Sequence, residues 1–153
     1  GGDSEEALRL ITAAYEQLPD NPSIVDSMGW VLYKLGRLED TKDEDGVLTR
    51  GAVSLLKQAA DDRPDNAVLL DHAADALWRA GSPEQRREAQ ELWRRAEEQL
   101  RREVAFLQGA DPMTSRMRAR SQALLDAVKA KRQAATEGRE PPVAPLAEQF
   151  KKP

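Results

Sequence analysis

Apolar side chains recur at i, i+3, i+4 and i+7 along most of this chain, the spacing of amphipathic helices. Over residues 3–18 they fall at Ala7, Leu8, Ile11, Ala14, Tyr15 and Leu18, after Asp3 and Ser4 as cap candidates, and Pro19 stops the run. Asp20 or Asn21 then caps a second helix with Pro22 in its first turn, which continues to about Leu35 and ends at Gly36. The pattern breaks over residues 38–51, resumes from Ala52 to Asp62, and is stopped by Pro64. A further helix is expected over 66–80, closed by Gly81, and another from Ser82-Pro83 to Leu107. Gly109 and Asp111-Pro112 mark a break before a last helix over 113–136, ended by Gly138. From Arg139 the chain carries Pro141, Pro142 and Pro145 and reads as an extended or disordered tail.

These helices repeat. Pro19-Asp20-Asn21 recurs 45 residues later as Pro64-Asp65-Asn66, and Ala7, Ala14, Leu32, Tyr33, Lys34 and Gly36 map at the same offset onto Ala52, Ala59, Leu77, Trp78, Arg79 and Gly81. A fixed period implies stacked units, because one helical hairpin cannot cover its own apolar face. Val25, Met28-Gly29, Leu32, Ala52, Leu56, Ala59 and Pro64 make up the middle unit, and Leu70, Ala73-Ala74, Leu77, Ala89, Trp93 and Ala96 the next. Ala7, Ile11, Ala14 and Pro19 supply a partial first unit. The small residues Gly29, Ala74, Ala59 and Ala96 sit where paired helices must approach closely, and larger residues fill the gaps between them.

In those positions the chain resembles the tetratricopeptide repeat, a helix-turn-helix unit of about 34 residues. The longer offset here is accounted for by an insertion of eleven residues, Thr41 to Gly51. In the third unit Gly81 to Ala89 is three residues longer than the pattern, and Arg101 stands where a closing proline would be, so that helix should run on. The resemblance covers roughly residues 2–100. Two segments, SIVDSMGWVLYKLG and DHAADALWRAG, also look like pieces of bacterial multi-repeat proteins, some of them envelope lipoproteins.

Composition narrows the classes. Charged residues make up 33% of the 153 and aromatics 5%, with good helix formers dominant, so a sheet protein is not expected. The absence of cysteine excludes disulfides, thiolate metal sites and cysteine nucleophiles. A formal net charge of −4 does not point to nucleic acid or an anionic membrane as partner, and no apolar run approaches the ~20 residues that span a bilayer. The compartment stays open between cytoplasm and bacterial envelope. The chain reads as the C-terminal part of a longer protein, because it starts inside a repeat.

The resemblance implies a concave surface lined by the first helix of each unit. The partner-binding groove is therefore expected at Asp26, Trp30, Tyr33 and Lys34 from one unit and Asp71, Asp75, Trp78 and Arg79 from the next, with Ser23 and Val68 nearby. Rings anchor and charges orient an extended peptide. Chaperone-binding members of the family clamp a terminal carboxylate with Lys and Asn; here Asp26 and Asp71 occupy the basic positions, which favours a partner with basic character. Competing sites are weaker. Asp40 to Gly46 resembles a calcium loop, but its first and last ligand positions fall on Thr41 and Ala52, so a solvated acidic loop is expected. His72 lies between Asp71 and Asp75 on one helix, a thin basis for a metal. No nucleophile elbow or phosphate loop is present. The last helix carries Arg116, Arg118, Arg120, Lys129, Lys131 and Arg132 outside an apolar stripe of Met113, Met117, Leu124 and Val128, which reads as a cap on the last repeat with solvated charges. Pro142-Val143-Ala144-Pro145 fits a PxxP pattern, and the tail, Phe150 included, could lie in a repeat groove, its own or a neighbour's.

The expected architecture is all-α, a right-handed helix-hairpin solenoid with a C-terminal capping helix. Its parts are repeats over 1–108 (a half repeat 2–20, a repeat 22–66 with the insertion 41–51, a repeat 67–108 with an extended second helix), a basic helix over 109–138 and a Pro-rich tail over 139–153. The expected function is a non-enzymatic scaffold that binds a peptide or helix of another protein, with no cofactor, no metal, no nucleic acid and room for a homo-oligomer. The alternatives are the docking arm of a larger enzyme and a self-association module.

Overall fold

The computed structural model describes residues 2–147. Six helices follow one another: α1 (Gly2–Gln17), α2 (Pro22–Lys34), α3 (Ala52–Asp62), α4 (Ala67–Ala80), α5 (Pro83–Phe106) and α6 (Pro112–Thr136). Each packs on the next in sequence, and α2 also touches α4, so the chain is an all-α solenoid of helical hairpins.

The recurrent tripeptide has a structural purpose. Asn21 and Asn66 both sit in extended backbone and accept two main-chain N–H bonds, from Ser23 and Ile24 in one case and Val68 and Leu69 in the other. Each satisfies two of the donors that a helix start leaves open. Ser82 opens α5 with a capping box to Gln85. Gly81 closes α4 with φ +91°, a left-handed turn that favours glycine.

The core runs through α2 to α6 and centres on Trp93, Tyr33, Leu55, Leu56, Leu70, Leu77 and Leu100, all essentially inaccessible. Gly29 is where α2 meets α3: a Cβ there would stand 2.8 Å from Leu56 Cγ. By contrast α1 has no fully buried residue among those described, and Leu10 and Leu18 are exposed.

Two expectations change and a third gains detail. The insertion is exposed over residues 41–49, as expected of a solvated loop, and is also ordered as a hairpin. Thr41–Lys42 (β1) and Leu48–Thr49 (β2) pair antiparallel, and Asp43 closes the turn by accepting the N–H groups of Asp45 and Val47. Asp43 is thus committed to backbone donors. The stripe of α6 is not the expected one. Leu125 and Val128 are buried and Leu124 packs beside them, but Met113 and Met117 are exposed, because the first turns of α6 extend past the core. Finally, Lys131 is not solvated; it is buried at the same helical spacing from Leu124 and Val128.

Candidate functional site

Five of the expected groove residues, Tyr33, Lys34, Asp75, Trp78 and Arg79, are in contact with the chain's own tail. Residues 139–147 leave α6 at Gly138, which has φ +71°, and run back across α4 and α2. The tail hypothesis in its intramolecular form describes the structure as far as Ala147; Phe150 lies outside the described residues.

The contacts are mainly to the tail's backbone. The Tyr33 hydroxyl donates to the Ala144 carbonyl. Arg79 donates to the same carbonyl at 2.8 Å through Nη2, and to the Tyr33 oxygen at 2.9 Å through Nε. The Ala144 N–H donates to Asp75 Oδ2 at 3.1 Å. Lys34 Nζ donates to the Pro145 carbonyl at 2.9 Å, and the Lys34 carbonyl accepts the Ala147 N–H at 2.9 Å. Upstream, the Trp78 indole N–H donates to Glu140 Oε1 at 2.9 Å, while the Arg86 guanidinium lies 4.7 Å from the Trp78 ring centre. Val143, Ala144 and Leu146 pack against the core, and Pro141 is buried.

Beneath the tail lies a charge cluster. Lys131 Nζ stands 2.8 Å from Asp71 Oδ1 and 2.8 Å from Asp75 Oδ1, and Asp71 also accepts the Trp93 indole N–H at 3.1 Å. All three charged side chains are buried. Burial, reinforced by the neighbouring Asp71, pushes the Asp75 carboxyl up to about 6, although Lys131 and the Ala144 N–H oppose the shift. For Lys131, burial works against the charge, but the two carboxylates outweigh it and hold its pKa above the usual lysine value. Burial, set partly against the Arg79 hydrogen bond, pushes the Tyr33 phenol up to about 12, so it remains a donor at neutral pH.

This corrects the reading of the acidic groove residues. Asp71 and Asp75 do not lie open to a basic partner, because the chain's own Lys131 neutralises them from α6. Trp78 is buried rather than exposed. Asp26 is taken by His72, whose Nδ1 lies 2.9 Å from Asp26 Oδ1. His72 faces α2 while Asp71 and Asp75 face Lys131, so the three do not converge. Trp30 is half-buried and stacks on both Tyr33 and His72, with ring centres 4.7 and 4.0 Å away. Sequence reasoning missed Lys131 and Glu140 as groove partners. The signal for Lys131 was its place in the stripe of Leu124 and Val128, where a charge has to find a buried counter-charge.

Over 63 residues the chain is similar, at 40% identity, to a TPR repeat-containing protein of Pseudomonas aeruginosa. The match takes in 41% of this chain and 9% of that relative. No family model matches, and no solved structure matches. The likeness is partial and distant, and it supports a TPR-like protein–protein interaction module in general terms. No helix among the described residues is long and apolar enough to cross a membrane.

Proposed function

We infer that this chain is a non-catalytic scaffold that holds an extended segment of another polypeptide on the face shared by α2 and α4. One observation carries the reading: that face already grips an extended polypeptide, the chain's own tail, by its backbone N–H and carbonyl groups. A surface that meets main-chain atoms in this way suits peptides as a class, with pockets at alternate side chains adding selectivity. The partially accessible ring of Trp30 and the charges of Lys34 and Arg79 are the kinds of group that anchor and orient such ligands.

Site-specific photo-crosslinking in the native host tests this. A crosslinking residue in place of Trp30 or Lys34 should capture a defined polypeptide. The same residue in place of Arg87, exposed on α5, should not. Equal capture at both places, or none on the α2/α4 face, would overturn the assignment.

A further inference from the structure

The tail does more than fill the face; its sequence reports what the face selects. We propose that the α2/α4 face recognises a peptide pattern of an acidic residue, two further residues, an aliphatic residue, a residue other than proline, proline and a second aliphatic residue, realised here as Glu140-x-x-Val143-Ala144-Pro145-Leu146, and that a partner chain carrying this pattern enters in the same register by displacing the tail. The proposal rests on the peptide-binding reading above and names the ligand for it.

Each position has its own physical reason. The acidic residue meets the Trp78 N–H, and Arg86 lies over that indole with its buried Nε lacking a hydrogen-bond partner among the described residues. Arg86 therefore keeps an unused cationic donor on the same indole that holds the Glu140 carboxylate. The residue before the proline is held through its backbone: its carbonyl accepts from Tyr33 and Arg79, and its N–H donates to Asp75. Proline cannot stand there, because it has no N–H to give. The next residue offers only its carbonyl to Lys34, which makes proline the economical choice: it leaves no donor unmet, and its fixed φ lowers the ordering entropy of binding. Leu146 packs against the core at Gly36, whose φ of +73° turns the chain out of α2. Pro142 is exposed and bears on none of this, so the second proline of the pair is free to vary.

Competition follows from the tether. Only Glu137, Gly138 and Arg139 separate the end of α6 from the first contact at Glu140, and so short a link gives the resident tail an effective concentration on the order of millimolar. A free peptide of the same sequence must then bind the intact chain far more weakly than a chain whose tail is undocked.

The test uses the full chain and a fluorescently labelled peptide of residues 139–147. In a full-length V143D/L146D variant, which puts acids where the tail meets the core, the peptide should bind saturably, and at least about ten-fold more tightly than it binds the unaltered chain. Peptides carrying Glu140→Ala or Ala144→Pro should lose about ten-fold or more. If V143D/L146D unfolds, the milder E140A/L146A chain serves in its place. Failure of a helical, tail-altered chain to bind the peptide, or binding of the substituted peptides as tight as that of the unsubstituted one, overturns the proposal. Outcomes for the two readings are separable. Crosslinking at Lys34 to a polypeptide that lacks the pattern keeps the scaffold and sinks the pattern; tight peptide binding without any cellular crosslink does the reverse.

Discussion

Lys131 Nζ lies 2.8 Å from Asp75 Oδ1, across 56 positions of sequence, and this contact fastens α6 to α4, the helix against which the tail lies. Asp75 in turn holds the Ala144 N–H, so one carboxylate links the cap, the repeat and the tail. The cap and the occupancy of the groove are therefore a single arrangement.

Removing the cation should be severe. Lys131→Met leaves two buried carboxylates facing each other, and loss of one partner from a buried ion pair costs about 3–5 kcal/mol. Urea denaturation should place the variant well below the parent. A triple variant with Asp71→Asn and Asp75→Asn added should recover part of the loss; no recovery would mean that the charge balance is not what Lys131 supplies.

Asp75 sets a pH dependence. Its folded pKa, about 6, lies above the ordinary aspartate value of 3.8, so the native state binds that proton more tightly than the unfolded chain. The stabilisation associated with it is fully present below about pH 4 and disappears as pH rises through about 6. Carboxylates with lowered pKa values, such as Glu97 beside Arg101 and Arg132, give the opposite slope, so the parent must be compared with Asp75→Asn. Measured by denaturation at pH 4, 5, 6 and 7, the stability of the parent relative to Asp75→Asn should fall with rising pH. A constant difference would count against the shift.

Close helix approach makes a third test. In Gly29→Ala the added carbon would stand 2.8 Å from Cγ of the buried Leu56, so crowding of about 1–3 kcal/mol is set against a helix-propensity gain of up to about 1 kcal/mol. In Gly51→Ala the obstacles are backbone: the Leu38 carbonyl oxygen at 2.4 Å and Glu39 at 2.5 Å. Thermal melts should therefore rank Gly51→Ala as the more damaging change. The reverse order would show that the strand-to-helix junction yields more easily than the α2–α3 contact.

Tail docking can be followed by amide hydrogen exchange. Arg79→Ala removes one of the two donors to the Ala144 carbonyl and the hydrogen bond to Tyr33. Exchange at Ala144 and Ala147 should quicken by about ten-fold or more, while amides within α3 stay protected. Uniform acceleration throughout the chain would instead indicate global destabilisation.

The helices were legible from the sequence because their signals are local. Asn21, Asn66, Ser82, Gly36 and Gly81 act on their immediate backbone neighbours, and the 45-residue offset exposed the stacking before any coordinates. The expected groove set of Asp26, Trp30, Tyr33, Lys34, Asp71, Asp75, Trp78 and Arg79 came from the repeat resemblance, which places the first helix of each unit on one surface. What they face did not. The partner of Asp26 was taken to be external and is His72; the cation for Asp71 and Asp75 was taken to be a ligand's and is Lys131. Met113 and Met117 satisfied the spacing rule yet lie exposed, since periodicity identifies a stripe without saying how far the neighbouring surface extends.

Sequence alone determined that this is an array of helical hairpins, because caps, stops and 3.6-residue periodicity act over a few residues and repeat at a fixed interval. Only the tertiary structure decided that Lys131 turns inward and that residues 139–147 lie across α2 and α4. Those outcomes depend on charges and main-chain groups brought together from positions more than fifty residues apart, where a buried ion must meet its counter-ion and an irregular segment must find donors and acceptors.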